Sequence, residues 1–120
     1  HKMTNEERFE ALLDRIDPSI RRKRAEESAQ NLQRQYIDVL AEAHVQGALV
    51  VKRQTLLETA DVQSLPADIL DRFKAEQIQA QLVAQTRWLA VEVIAEELEQ
   101  ALDALEAIRA AEEKLGRRKS

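Results

Sequence analysis

The sequence predicts an all-α protein. A short N-terminal helix should be followed by a long antiparallel helical hairpin, coiled-coil-like, that dimerises into a helical bundle. Three observations predict this. Residues 64–115 contain no glycine and a single proline, Pro66, placed where a first helical turn would be. Alanine, leucine, glutamate and glutamine dominate that stretch, all strong helix formers; at ~1.5 Å per residue one unbroken helix there would be roughly 75 Å long. Apolar residues recur at three- and four-residue intervals, the spacing of one helix face. The composition agrees: of 120 residues 44% are apolar and 33% charged, with 18 alanines, 11 glutamines, two glycines and two prolines. Long helices or a coiled coil have this composition.

His1 and Lys2 before Met3 look like a cloning scar, and a single helical domain is expected over 4–115, with helices at about 4–17, 19–58 and 65–115. Thr4 can cap the first helix, with Glu7 completing a capping box and the acids of the first turn facing the positive end of the dipole. Phe9, Leu12, Leu13 and Ile16 then form an amphipathic stripe, and Pro18 ends the helix at Asp17. A helix this short is marginal alone in water. It is expected to dock at the far end of the hairpin, around Leu102 to Ile108.

Ser19 can cap the second helix. Its stripe is Ala25, Ala29, Leu32, Tyr36, Leu40, Ala43, Gly47 and Val50, with Ile37, Ala41, Val45 and Ala48 as a second stripe beside it. Gly47 costs about 1 kcal/mol relative to alanine in a helix interior, which suggests a close helix crossing, or a kink. Thr59 to Pro66 is the connection, with Ser64 or Asp61 as a cap for the third helix. That helix starts near Pro66 and carries Ile69, Leu70, Phe73, Ile78, Leu82, Leu89 and Val93 on one drifting face. From Val91 a heptad-like run takes over: Val91, Ile94, Leu98, Ala101, Leu105 and Ile108. Gly116 is the expected stop, leaving 116–120 as a basic tail.

Folding the second helix onto the third about Val62 places Tyr36 near Trp88, and Arg21, Arg22, Lys23 and Arg24 near residues 100–104. The charges match, because Glu92 to Glu113 hold eight carboxylates and one arginine. The middles of both long helices are apolar on more than one side, poor in charge and rich in glutamine. Such a belt wants another surface, and the simplest is a second copy. The expected partner or dimer interface is Tyr36, Leu40, Val45, Leu49, Val83, Trp88, Leu89 and Val93.

Other chemistry is weakly represented. There is no cysteine, which fits a cytoplasmic protein without disulfides or thiol catalysis. No apolar run is long enough to span a membrane, and no signal peptide is visible. His44 stands in the apolar belt, and Glu42, two residues away, faces elsewhere on a helix; an interface histidine is expected, not a metal ligand. No serine or threonine has a recognisable base partner, and two isolated glycines make no phosphate loop. No catalytic, cofactor-binding or metal site is expected, and the protein is taken not to be an enzyme. One short and two long helices occur in unrelated adaptors, chaperones and assembly factors, so the leading expectation is a non-enzymatic interaction module acting as a homodimer on another protein. The alternative is a small dimeric nucleic-acid accessory protein using Arg21, Arg22, Lys23 and Arg24, although the net charge of −4 argues against a dedicated binder.

Overall fold

The computed structural model describes residues 4–16 and 18–119. It is 94% helical, with no strand among the described residues, and its two long helices pack against each other as the predicted hairpin. The elements are α1 (Asn5–Ile16), α2 (Pro18–Leu57), α3 (Ala60–Gln63) and α4 (Ala67–Lys119). Two compact units are distinguished, one formed by His1–Arg34 with Glu96–Ser120 and the other by Gln35–Ala95. The proposed scar at 1–3 and the break at Asp17 lie outside the described residues.

The helix ends follow from local chemistry. Thr4 caps α1: its Oγ1 accepts from the Glu7 N–H at 3.2 Å, and its carbonyl from the Arg8 N–H. Helix α2 begins at Pro18, so Ser19 lies inside the first turn and is not the cap; proline's missing N–H costs nothing at a helix start. The connection holds a helix of its own, α3. The Thr59 hydroxyl donates to the Leu56 carbonyl at 2.7 Å and accepts from the Val62 N–H at 3.4 Å, so one side chain ties the end of α2 to the start of α3. The Gln63 amide caps the Leu57 carbonyl. The Ser64 hydroxyl turns back to Asp61, and α4 starts with the Leu70 N–H on the Pro66 carbonyl. Neither Ser64 nor Asp61 caps α4. At the other end α4 runs through Gly116 to Lys119. No glycine adopts positive φ, and a glycine closes a helix when it does.

The two long helices meet along a heptad seam. On α2, Ala29 and Ala43 are buried and Leu32, Tyr36, Val39, Gln46, Val50 and Leu57 half-buried; on α4, Gln77, Val91 and Leu105 are buried and Leu70, Ala80, Ala84, Ile94, Leu98, Ala101 and Ile108 half-buried. The stripe expected on α2 and the heptad run from Val91 to Ile108 are both there. The drifting face expected on α4 lies outside this seam. Ile69, Phe73, Ile78, Leu82, Leu89 and Val93 are exposed, and Gln77 with Ala80 and Ala84 occupies the seam. The heptad phase set by Val91 and Ile94 carries backward along a rigid helix and turns the larger residues outward.

The register also differs from a fold about Val62. Trp88 stands beside His44, not Tyr36, and Arg22 meets Glu112, not residues 100–104. Each is an offset of about two helical turns. At the connection, Val62 shares a hollow with Leu56 and Leu57 of α2 and Phe73 of α4. Phe9 and Leu12, expected to dock at 102–108, are 59% and 54% exposed. Leu105 is buried and Ile108 half-buried. The side chains of Leu13 and Ile16 lie outside the described set.

Candidate functional site

The expected interface residues are divided around the hairpin of the Gln35–Ala95 unit. Tyr36 and Leu40 are half-buried in and beside the seam. Trp88 lies on one side of it, against His44, with ring centroids 5.2 Å apart and planes at 79°, an edge-to-face pair. A Cβ built on Gly47 would come within 4.0 Å of the Trp88 indole nitrogen. That is ordinary contact, so nothing inside the chain requires glycine there. Leu89 shares a hollow with Trp88, Gln85 and Glu92.

Helical spacing extends this face. Ile37, His44 and Val51 are seven residues apart on α2, one above another, and Ile78, Gln81, Gln85 and Trp88 follow at three and four on α4. Ile78 and Gln81 line a common hollow with Gln54 of α2. Between Gln33 and Gln54 on the one helix and Ile78 and Trp88 on the other, this face contains no Asp, Glu, Lys or Arg. Its apolar members stand in solvent: Ile37 is 62%, Val51 67% and Trp88 39% exposed. Trp88, Leu89 and His44 were singled out in the sequence; Ile37, Val51 and Ile78 were not joined to them as one face, although the seven-residue spacing of Ile37, His44 and Val51 and the lack of charge on this face were in the sequence.

The other side of the same unit is chemically different. Leu49 and Val83 line a hollow of about 520 Å³ with Arg53, Arg72, Glu76, Gln79 and Ala80. A second hollow of about 240 Å³ continues it, formed by Leu56, Leu57, Val62 and Phe73 and sharing Arg53 and Glu76. Glu42 and Arg87 form an ion pair at 3.3 Å on this side. Val45 and Val93, exposed, flank it by helical spacing.

The basic run is largely engaged within its own unit. Arg22 reaches Glu112 at 3.0 Å and Glu26 at 3.8 Å, and Arg109 reaches Glu26 at 3.6 Å. Arg21 and Arg24 also have partners, while Lys23 is exposed. Among the described residues no cluster of His, Asp and Glu could hold a metal ion, and no helix is long and apolar enough to cross a membrane. Comparison with protein-family models, curated proteins and solved structures gives no match.

Proposed function

We propose that the chain is a non-enzymatic helical protein–protein interaction module, of the adaptor, chaperone or assembly-factor kind, that works as a homodimer through the His44–Trp88 face. One observation carries this: a charge-free strip across both helices with Ile37, Val51, Ile78 and Trp88 in solvent. Fully burying a large aliphatic side chain contributes ~1.5–3 kcal/mol, so a surface that covered several of them at once would gain substantially. A two-fold pairing presents the same strip on both copies, and the glutamines at its edge, Gln54, Gln81 and Gln85, can hydrogen-bond across the rim. Gly47 fits the same picture. It weakens α2 by about 1 kcal/mol, its own chain does not need the space, and a second backbone approaching the face would.

The nucleic-acid alternative has less support, because Arg22 is committed to Glu112 and Glu26. Salt-sensitive binding to arbitrary DNA or RNA would favour it. The absence of cysteine fits a reducing, cytoplasmic setting.

Sedimentation of the unmodified chain tests the proposal. A dimer is expected at micromolar concentration; a stably folded monomer would refute it. Val51→Glu and Leu89→Glu should each weaken self-association by at least about tenfold, by burying an unpaired carboxylate, with helicity retained by circular dichroism. Gln30→Glu, on an exposed position of the other unit, should leave the dimer unchanged.

A further inference from the structure

The side of the hairpin away from Trp88 carries a groove within the Gln35–Ala95 unit. Leu49 and Leu56 wall it on α2, Phe73 and Val83 on α4, and each is between 41% and 52% exposed. The groove is bounded at both ends. The Glu42–Arg87 ion pair joins the two helices one turn beyond Val83, and Val62 of the connection stands at the other end, beside Phe73. Between them the groove runs about 15 Å along α4, or roughly three helical turns. Arg53 and Arg72 line it, and neither has an ion-pair or hydrogen-bond partner among the described residues. Glu76 is the one carboxylate in its lining; Asp68 and Asp71 of the same stretch are not part of it. Two guanidinium groups against one carboxylate leave the groove positive.

We infer that this groove receives an amphipathic helix of another protein, apolar on one face and flanked by carboxylates. The walls decide for a helix. They are themselves helices, with their backbone groups already bonded, so an extended segment laid there would find few partners for its own N–H and C=O groups. A helix brings those bonds with it and needs only an apolar stripe at three- and four-residue spacing. Charge decides the sign. A carboxylate can take two parallel hydrogen bonds from a guanidinium group, and Arg53 and Arg72 have theirs to give. A basic helix would instead set like charges together. The inference rests on the reading of the chain as an interaction module, to which it adds the chemistry of the partner. It does not rest on the His44–Trp88 dimer face, which lies on the other side of the hairpin.

A labelled synthetic peptide tests it by fluorescence anisotropy against the full-length chain. The probe is a helix of about 14 residues with leucines on one face, at three- and four-residue spacing, and glutamates beside them. A matched peptide carries lysine in place of every glutamate. The acidic peptide is expected to bind saturably with a Kd below about 100 μM, and the basic one at least about tenfold more weakly. In the chain carrying Arg53→Glu with Arg72→Glu the preference should reverse. That reversal includes a gain for the basic peptide, which a misfolded variant could not show. Leu56→Glu should abolish binding of the acidic peptide. Val51→Glu, on the opposite face, should leave it unchanged whether or not the chain dimerises, so failure here and failure of the dimer face are told apart. No binding of the acidic peptide, equal binding of the two peptides, or no reversal in the double variant would each overturn the inference. Loss of self-association in the double variant would overturn it too, by placing a second copy of the chain in the groove.

Discussion

Gln77 occupies a seam position where a leucine would ordinarily sit, and it is 4% exposed. Its amide nitrogen donates to the Val50 carbonyl at 2.9 Å and to the Gln54 side chain at 3.4 Å, and Gln46 answers from α2 with a donation to the Ala80 carbonyl. The Gln77 carbonyl oxygen is buried with no partner. A buried acceptor left unsatisfied costs about 1–3 kcal/mol, whereas removing the polar group altogether is close to neutral or favourable. Val50 would lose little, since its carbonyl already belongs to the ladder of α2. Gln77→Leu is therefore expected to raise stability by about 1 kcal/mol, read from urea or thermal unfolding; a clear loss would mean that the amide bonds outweigh the orphaned oxygen. Gln77 was legible in principle. Counting heptads backward from Val91 through Ala84 arrives at Gln77, but the larger stripe of Ile78, Leu82, Leu89 and Val93 is the stronger hydrophobic signal. That stripe marks a face outside the seam, because helix phase here is inherited from the neighbouring stretch and not set by side-chain size.

At the scale of elements, the hairpin and its two long helices could be read from the scarcity of glycine and proline, and its register could not. Register depends on where a connection hands the chain over, and here that is decided by individual hydrogen bonds. Thr59 is central, since its hydroxyl serves Leu56 on one side and Val62 on the other. The result is a compact α3 whose Val62 lines a hollow with Leu57 and Phe73. Nothing in the stretch Thr59–Pro66 distinguishes this from an open loop unless each cap is assigned. Thr59→Ala should cost about 1 kcal/mol, the usual value of a lost N-cap, and Thr59→Ser should recover most of it. Thermal unfolding of the two variants checks this; equal losses would show that the methyl group, not the hydroxyl, holds the connection.

At the scale of the whole molecule, charge is sorted along the chain, and this sorting was legible. The acids of Glu92 to Glu113 and the bases of 21–24 were expected to meet, and Arg22 with Glu112 shows them doing so. A partner's identity is not written in such a pattern, because exposed ion pairs are worth only about 0–1 kcal/mol and an apolar strip accepts any complementary surface. The proposed dimer face nevertheless makes a claim that salt can read. Rim charges are screened over about 10 Å at 0.1 M ionic strength, while burial of apolar surface is not weakened by added salt. Association through the strip around His44 and Trp88 should therefore hold as salt rises from about 0.05 to 0.5 M, over which the screening length shrinks more than twofold. Sedimentation of the unmodified chain across the series decides it. If the chain dissociates with salt, charged groups and not the apolar strip hold the copies together, and the proposed dimer face is wrong.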